Sequence, residues 1–196
     1  MGDALLQPND LIDIRRKGER LVIRFAAPAA KNPLSSKVLD LIENALDASA
    51  DESDPVEIVF TGTNDVFAAG ADLREINGLT SEAAIEFGLR GQRLMNRIAA
   101  MPLTTLAAIN GFCYGGALDL ALACKQRVAS SNATFCHPGT SIGIITGWGG
   151  TQRLPKLIGE GRALEMFFTA SPVSAVRAKA IGLVDAVDDA FFEDLN

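Results

Sequence analysis

The chain has 196 residues, 48% hydrophobic and 21% charged, so it can bury a substantial core, and we expect a single domain over residues 1–196. Its 18 basic and 24 acidic residues give a net charge of -6 without a dense Lys/Arg block, which argues against nucleic-acid or membrane partners. The N-terminus lacks the pattern of a secretory signal, and no apolar run reaches spanning length. These features predict a cytoplasmic protein.

The cysteines and the single histidine bear on metal and redox chemistry. Cys113, Cys124 and Cys136 show no CxxC spacing, so we expect buried free thiols rather than disulfides or a zinc ribbon. One histidine, His137, cannot form a multi-histidine metal site, and no metal is expected.

The first half of the chain alternates strands and helices. Residues 11–14 and 21–25 predict a β-hairpin around Gly18. Ser35 predicts the N-cap of a helix whose apolar stripe is Val38, Leu41, Ile42, Ala45 and Leu46. Pro55 precedes a predicted strand over 56–60.

A second amphipathic helix is predicted over 82–100, with Thr80 or Ser81 as its cap and Ile85, Leu89, Met95 and Ile98 facing the core. Pro102 stops it. A strand over 103–109, a helix over 117–124 and a strand over 126–130 follow. Residues 137–152 read as a long glycine-rich loop, and helical patches are predicted over 163–168 and 175–180.

Two glycine segments, 67–72 and 110–120, each follow an apolar strand and lead into a helix. Such turns leave backbone N–H groups available. Two of these groups aimed at one point would form an oxyanion hole for a carbonyl oxygen. The alternative is that the glycines only permit tight turns and close packing.

Three longer segments, VFAAGADLREI (66–76), AINGFCYGGALDLALA (108–123) and GWGGTQRLPKLIG (147–159), resemble the crotonase superfamily of enoyl-CoA hydratases and isomerases. AIGLV at 180–184 also resembles it, and the likeness extends over nearly the whole chain from about Leu21 onward. The resemblance implies an α/β fold built as a spiral of ββα units. It also implies a coenzyme A thioester substrate, a role in fatty acid metabolism, and a homo-oligomer, either a trimer or a hexamer.

The resemblance implies that Ala71 and Gly116 supply the two oxyanion N–H groups, which would stabilise a thioester enolate. Asp119 stands where hydratases carry a catalytic glutamate, so it is the candidate proton-transfer residue. It could instead be an acidic residue that stabilises the first turn of a helix. Gly139 stands where hydratases place a second glutamate, which makes hydratase activity doubtful.

Two residues close to Gly139 in the sequence are alternative candidates for a catalytic role. His137 could act as an acid or base near neutral pH, although a single histidine is more often structural. Cys136 is a weaker candidate for a nucleophile, because a thiolate needs a base or a positive neighbour.

The resemblance also suggests which residues bind the substrate, with coenzyme A as part of the thioester and no separate cofactor. These are Lys31, Ala69, Asp72, Leu73, Pro138, Gly139 and Trp148. Arg74 could pair with a phosphate, and Phe112 could line the acyl pocket. Lys31 and Arg74 could equally be solvated surface residues, and Phe112 and Trp148 could be core residues.

Crotonases usually continue past the Gly-Leu-Val segment with further helices, whereas this sequence ends at Asn196. The usual C-terminal helical extension is therefore expected to be absent, either because the chain is naturally short or because it is truncated. The sequence predicts an acyl-CoA-processing enzyme that could catalyse isomerisation, decarboxylation or thioester hydrolysis. The alternative is a catalytically silent acyl-CoA-binding or scaffold protein. Phosphate or dinucleotide binding through residues 147–150 is a weaker hypothesis, because the loop matches neither the GxxxxGK[ST] motif nor a strand-anchored GxGxxG motif.

Overall fold

The computed structural model describes residues 4–8, 10–51 and 57–195. Its strands are β1 (Ala4–Pro8), β2 (Ile12–Lys17), β3 (Arg20–Phe25), β4 (Pro33–Leu34), β5 (Glu57–Thr61), β6 (Val66–Ala68), β7 (Gly70–Ala71), β8 (Thr104–Ile109), β9 (Phe112–Tyr114), β10 (Gln126–Ala129), β11 (Thr134–Cys136), β12 (Val173–Ser174) and β13 (Ala186–Val187). Its helices are α1 (Ser36–Asp51), α2 (Leu73–Asn77), α3 (Ser81–Ala100), α4 (Gly116–Ala123), α5 (Gly150–Ile158), α6 (Glu160–Thr169), α7 (Ala175–Ala180) and α8 (Ala190–Glu193). Short 3-10 turns cover Pro28–Ala30 and Pro138–Ile142.

The strands form two main sheets, and the chain passes between them repeatedly. The larger sheet has the order β1-β2-β3-β5-β8-β10-β13, antiparallel from β1 to β3 and parallel beyond. The smaller sheet has the order β12-β11-β9-β6, and a further two-stranded sheet pairs β4 with β7. Successive units place one strand in each main sheet and then add a helix, as in β8-β9-α4 and β10-β11-α5. This arrangement confirms the predicted α/β spiral of ββα units.

Hydrogen bonds at the helix starts support several predicted boundaries. The Val38 N–H donates to Ser35 Oγ over 3.4 Å at the start of α1, and the Ala83 N–H donates to Thr80 Oγ1 over 3.3 Å at the start of α3. Such caps satisfy N–H groups that have no partner within the helix. The predicted hairpin is present as β2 and β3. Pro55 and Val56, predicted to open β5, lie outside the described residues.

The face of α3 that packs on the core differs from the prediction. Met95 and Ile98 are buried as expected, but Ile85 and Leu89 are 65% and 44% exposed, so their inward placement was wrong. The buried face continues through Gly91. Because glycine carries no side chain, this position leaves no mark in a pattern of apolar residues.

The long loop predicted over 137–152 was also wrong in part. Residues 138–142 form a 3-10 turn, residues 143–149 are irregular, and α5 begins at Gly150. Gly149, with φ of 107°, precedes the helix in a left-handed conformation that favours glycine.

Helix α4 is buried on all sides over Ala117–Ala123. Asp119 is the only charged residue of that helix, and it lies in the first turn.

No helix in the described part of the chain is long and apolar enough to cross a membrane.

Candidate active site

A cavity of about 260 Å³ lies between α2, α3, the first turn of α4 and the segment 137–148. Eight of the ten residues named from the sequence as site residues line it: Ala69, Ala71, Leu73, Gly116, Asp119, Pro138, Gly139 and Trp148. The fold therefore brings both glycine segments and the 137–148 segment to one place. The remaining two, Lys31 and Asp72, do not line this cavity.

The backbones of the two glycine segments touch each other at the cavity. A Cβ built on Gly70 would lie 2.6 Å from Gly116 N, and one built on Gly116 would lie 3.3 Å from Ala71 N. Gly70 has φ of 90°, which favours glycine, and the close approach leaves no room for a side chain. Gly116 opens α4, where its N–H has no acceptor within the helix. The Ala71 and Gly116 amides are thus neighbours at the wall of one cavity.

Asp119 is fully buried, at 0% exposure. Its Oδ2 accepts hydrogen bonds from the Thr146 hydroxyl and, over 3.1 Å, from the Trp148 N–H. Burial raises the pKa of Asp119 to about 6, because removal from water disfavours the charged form, while the Thr146 and Trp148 hydrogen bonds act in the opposite direction. A carboxyl group that titrates near neutral pH can both accept and return a proton.

His137 also lines the cavity and is 3% exposed. Its Nε2 lies 3.8 Å from Asp119 Oδ1, and the ring packs on Phe167 with 5.1 Å between centroids. Burial lowers the pKa of His137 to about 4, so the imidazole is uncharged at neutral pH. Neither ring nitrogen has a hydrogen-bond partner among the described residues.

Gly139 lies in the cavity wall with little space around it. A Cβ at this position would lie 2.6 Å from the carbonyl oxygen of Ile144, which is a backbone atom. A glutamate therefore cannot replace Gly139 without displacement of the segment that follows it. The cavity is built for glycine at this position.

Trp148 is a core residue that also lines the cavity. It is 3% exposed, and its ring packs against Phe87 with 5.5 Å between centroids. A Cβ on Gly91 would lie 2.0 Å from Trp148 Nε1, and one on Gly116 would lie 2.6 Å from its Cε3. The indole therefore fits between α3 and the first turn of α4.

Four of the residues predicted to contact coenzyme A have partners within the chain. Asp72 caps α2, accepting from the Arg74 N–H over 3.0 Å, and forms an ion pair with Arg74 over 2.8 Å. This interaction lowers the pKa of Asp72. The Lys31 ammonium lies over the Phe112 ring, 5.0 Å from its centroid, and the Ala69 N–H donates to the Lys31 carbonyl over 2.9 Å. Phe112 stacks on Tyr114 and does not line this cavity.

Thr146 and several apolar residues of the cavity wall were not predicted from the sequence. Thr146 is half-buried, lines the cavity and bonds Asp119 across 27 residues of sequence. Phe87, Ile144 and Ile145 line it as well. The contact between Thr146 and Asp119 joins residues far apart in sequence, so it leaves no periodic pattern. The two consecutive isoleucines at 144–145, in a glycine-rich segment, could have indicated an apolar cavity wall.

The three cysteines are free and buried, as expected. Burial raises the pKa of Cys136, so its thiol is poorly suited to act as a nucleophile. Within the described ranges, no group of three His, Cys, Asp or Glu side chains could hold a metal ion.

Comparisons with known proteins identify the family. The family described as enoyl-CoA hydratase/isomerase matches residues 16–194. A crotonyl-CoA hydratase from Syntrophomonas wolfei is 40% identical over 176 residues, 89% of this chain and 68% of that protein. A short-chain-enoyl-CoA hydratase from Clostridium acetobutylicum is 34% identical over 93% of this chain and 70% of its own length. The crystal structure of an enoyl-CoA hydratase from Bacillus anthracis superposes with a TM-score of 0.87 at 34% identity, over 93% of this chain and 71% of the other. The chain belongs to the enoyl-CoA hydratase/isomerase family of the crotonase superfamily.

Proposed function

We propose that the chain processes an acyl-CoA thioester by forming an enolate, with the Ala71 and Gly116 N–H groups on the thioester oxygen and Asp119 as the proton-transfer group. The observation that carries this proposal is the adjacency of Gly70, Ala71 and Gly116 at a cavity whose wall also contains Asp119. Two backbone donors and one titratable carboxyl group are the parts that enolate chemistry requires.

The two amides would act on the charge that develops as the α-proton leaves. As Asp119 accepts that proton, the electron pair of the C–H bond moves onto the thioester oxygen. Removal of one such donor in other acyl-transfer enzymes costs about 3 to 4 kcal/mol of transition-state stabilisation. Gly116 opens a helix, so the positive end of its dipole adds to the effect.

The reaction that this site supports best is migration of a double bond. One carboxyl group can remove a proton from one carbon and return it to another. Addition of water is easiest with two flanking carboxylates, and Gly139 supplies none. We therefore propose weak hydratase activity, with decarboxylation and thioester hydrolysis as the other outcomes open to an oxyanion site.

Deuterium incorporation from D₂O into the α-carbon of butyryl-CoA tests enolate formation, and it does so whichever final product the enzyme forms. We expect exchange by the wild-type chain and a loss of about 10²-fold or more in Asp119→Asn. A second assay follows conversion of a β,γ-unsaturated acyl-CoA to its α,β isomer. A folded protein that shows neither exchange nor turnover on a broad acyl-CoA panel would contradict the proposal.

A second candidate function is acyl-CoA binding without catalysis. It is favoured by the complete burial of Asp119 and by Gly139. Calorimetry with acetyl-CoA and crotonyl-CoA separates the two candidates. Binding that is unchanged in Asp119→Asn and accompanied by no turnover would support the silent protein.

We further propose that coenzyme A lies along Lys31, Ala69, Asp72 and Leu73 as part of the substrate, and that no separate cofactor takes part. Self-association into a trimer or hexamer is supported by exposed apolar side chains on α6 and α7, among them Phe168 at 75% and Val176 at 74% exposure. Three free cysteines suit a reducing cytoplasmic location.

A further inference from the structure

Thr146 is placed between the cavity and the buried carboxyl group of Asp119. It belongs to the irregular segment 143–149, is half-buried, and lines the cavity. Its hydroxyl donates a hydrogen bond to Asp119 Oδ2, and its methyl group faces Gly150. Thr146 therefore lines the cavity and, through its hydroxyl oxygen, is also hydrogen-bonded to Asp119.

Asp119 contributes to the cavity wall, although its side chain has no surface exposed to solvent. Oδ2 is held by Thr146 and by the Trp148 N–H, whereas Oδ1 has no hydrogen-bond partner among the described residues. A Cβ on Gly150 would lie 2.1 Å from Oδ1, so no space remains on that side. Because Thr146 donates to Oδ2 and also lines the cavity, its hydroxyl can carry a proton between this oxygen and a bound acyl group.

The other groups that face Asp119 do not provide that carrier. His137 Nε2 lies 3.8 Å away, and both nitrogens of its ring are buried without partners among the described residues. Arg153 acts on Asp119 only through its charge, and Cys113 is a fully buried thiol. Among these neighbours, Thr146 combines a hydroxyl, a hydrogen bond to Asp119 and a place in the cavity wall.

We propose that Thr146 is a catalytic residue whose hydroxyl relays protons between the acyl group and Asp119. This role rests on the enolate chemistry proposed above. In the forward step the α C–H bond breaks and its proton forms a new O–H bond with Thr146 Oγ1. The proton that Thr146 carried passes at the same time to Asp119 Oδ2, and the C–H electron pair moves onto the thioester oxygen. The reverse transfer protonates the acyl group and restores the carboxylate.

A matched pair of substitutions separates the hydroxyl from the rest of the side chain. Thr146→Val keeps the shape but removes the hydroxyl, whereas Thr146→Ser keeps the hydroxyl but removes a methyl group. We expect α-proton exchange with butyryl-CoA to fall about 10²-fold in Thr146→Val and to stay close to wild type in Thr146→Ser. The double variant Thr146→Val/Asp119→Asn should be no slower than the slower single variant, because the two residues act as one unit.

The outcomes distinguish the relay from the proposed function. Wild-type exchange that persists in Thr146→Val overturns the relay alone, as does a Thr146→Ser variant that is as slow as Thr146→Val. Absence of exchange in the wild-type chain, with butyryl-CoA bound, overturns both proposals. Quenching of the single tryptophan, Trp148, reports butyryl-CoA binding by each variant.

A measurement on the wild-type chain alone covers the case in which Thr146→Val does not fold. Loss of tritium from the α-carbon of labelled butyryl-CoA is compared in H₂O and in D₂O. The relay moves the exchangeable Thr146 proton in the same step, so the loss should be slower in D₂O. Equal rates in the two solvents would show direct transfer to Asp119 and overturn the relay.

Discussion

His137 Nε2 lies 3.8 Å from Asp119 Oδ1, and neither atom has a hydrogen-bond partner among the described residues. Burial acts on the two groups in opposite directions, raising the pKa of Asp119 to about 6 and lowering that of His137 to about 4. Between these two values both groups are uncharged. Above about pH 6 the pair consists of a carboxylate and an uncharged imidazole.

Turnover should therefore rise with pH in a single step near pH 6. The base form of Asp119 is its carboxylate, which is populated above its pKa of about 6. The profile of kcat/KM reports the free enzyme and should show this step. Residual activity of Asp119→Asn should lack it. A step near pH 4 in the wild-type chain, or one near pH 6 that persists in Asp119→Asn, would contradict this assignment.

Stability should respond to pH through two opposing contributions. The folded pKa of Asp119 lies above its ordinary value of 3.8, so its contribution is fully present below 3.8 and is lost as the pH rises through about 6. The folded pKa of His137 lies below its ordinary value of 6.5, so stability is lost as the pH falls from 6.5 to about 4. Each contribution is about 3 kcal/mol, and in the wild-type chain they largely cancel.

Single substitutions should expose each contribution separately. From about pH 4 to 6.5, the free energy of unfolding of Asp119→Asn should rise more steeply with pH than that of the wild-type chain. In His137→Gln it should rise less steeply or fall. Urea unfolding at several pH values measures both differences, and the other carboxylates cancel in the comparison. Parallel curves for all three proteins would show that neither pKa is shifted by burial.

The substitution Gly139→Glu, which introduces the glutamate that hydratases carry at this position, should not produce hydratase activity. A Cβ there would lie 2.6 Å from the Ile144 carbonyl oxygen, so Gly139→Glu and Gly139→Ala should both lose about 1–3 kcal/mol of stability. Gly147→Ala is the matched control, because no atom lies within 4 Å of the corresponding Cβ. Thermal unfolding and a crotonyl-CoA hydration assay check both points. A stable Gly139→Glu variant with increased hydration would show that the segment moves freely.

Two glycines three residues apart on α3 should respond in opposite ways. Gly91→Ala places a Cβ 2.0 Å from Trp148 Nε1 and should lose about 1–3 kcal/mol, together with a change in tryptophan emission. Gly88→Ala meets nothing within 4 Å and should gain up to about 1 kcal/mol from helix propensity. Differential scanning calorimetry and fluorescence spectra measure both. Equal effects at the two positions would mean that Trp148 does not pack against α3 as described.

Local sequence patterns were sufficient for much of the fold. The hairpin of β2 and β3 and the cap at Ser35 depend on neighbours a few residues apart and were predicted from that spacing, and Thr80 was one of the two caps predicted for α3. The spiral arrangement was implied by the resemblance of the longer glycine-containing segments to the crotonase superfamily. Two of their glycines, Gly70 and Gly116, lie where backbones approach closely.

Other features depend on contacts between residues far apart in sequence. The buried face of α3 passes through Gly91 because Trp148 occupies the space beside it, which a count of apolar residues cannot detect. The start of α5 at Gly150 was hidden within a run of glycines that resembles a loop. Thr146 has no chemical signature of its own and acquires a role only where the fold places it beside Asp119.

The structure of the chain with bound butyryl-CoA would show directly whether the two amides hold the thioester oxygen. We expect this oxygen within about 3 Å of both Ala71 N and Gly116 N, with the α-carbon facing Thr146. A thioester oxygen bound away from these two amides, in an otherwise occupied cavity, would contradict it.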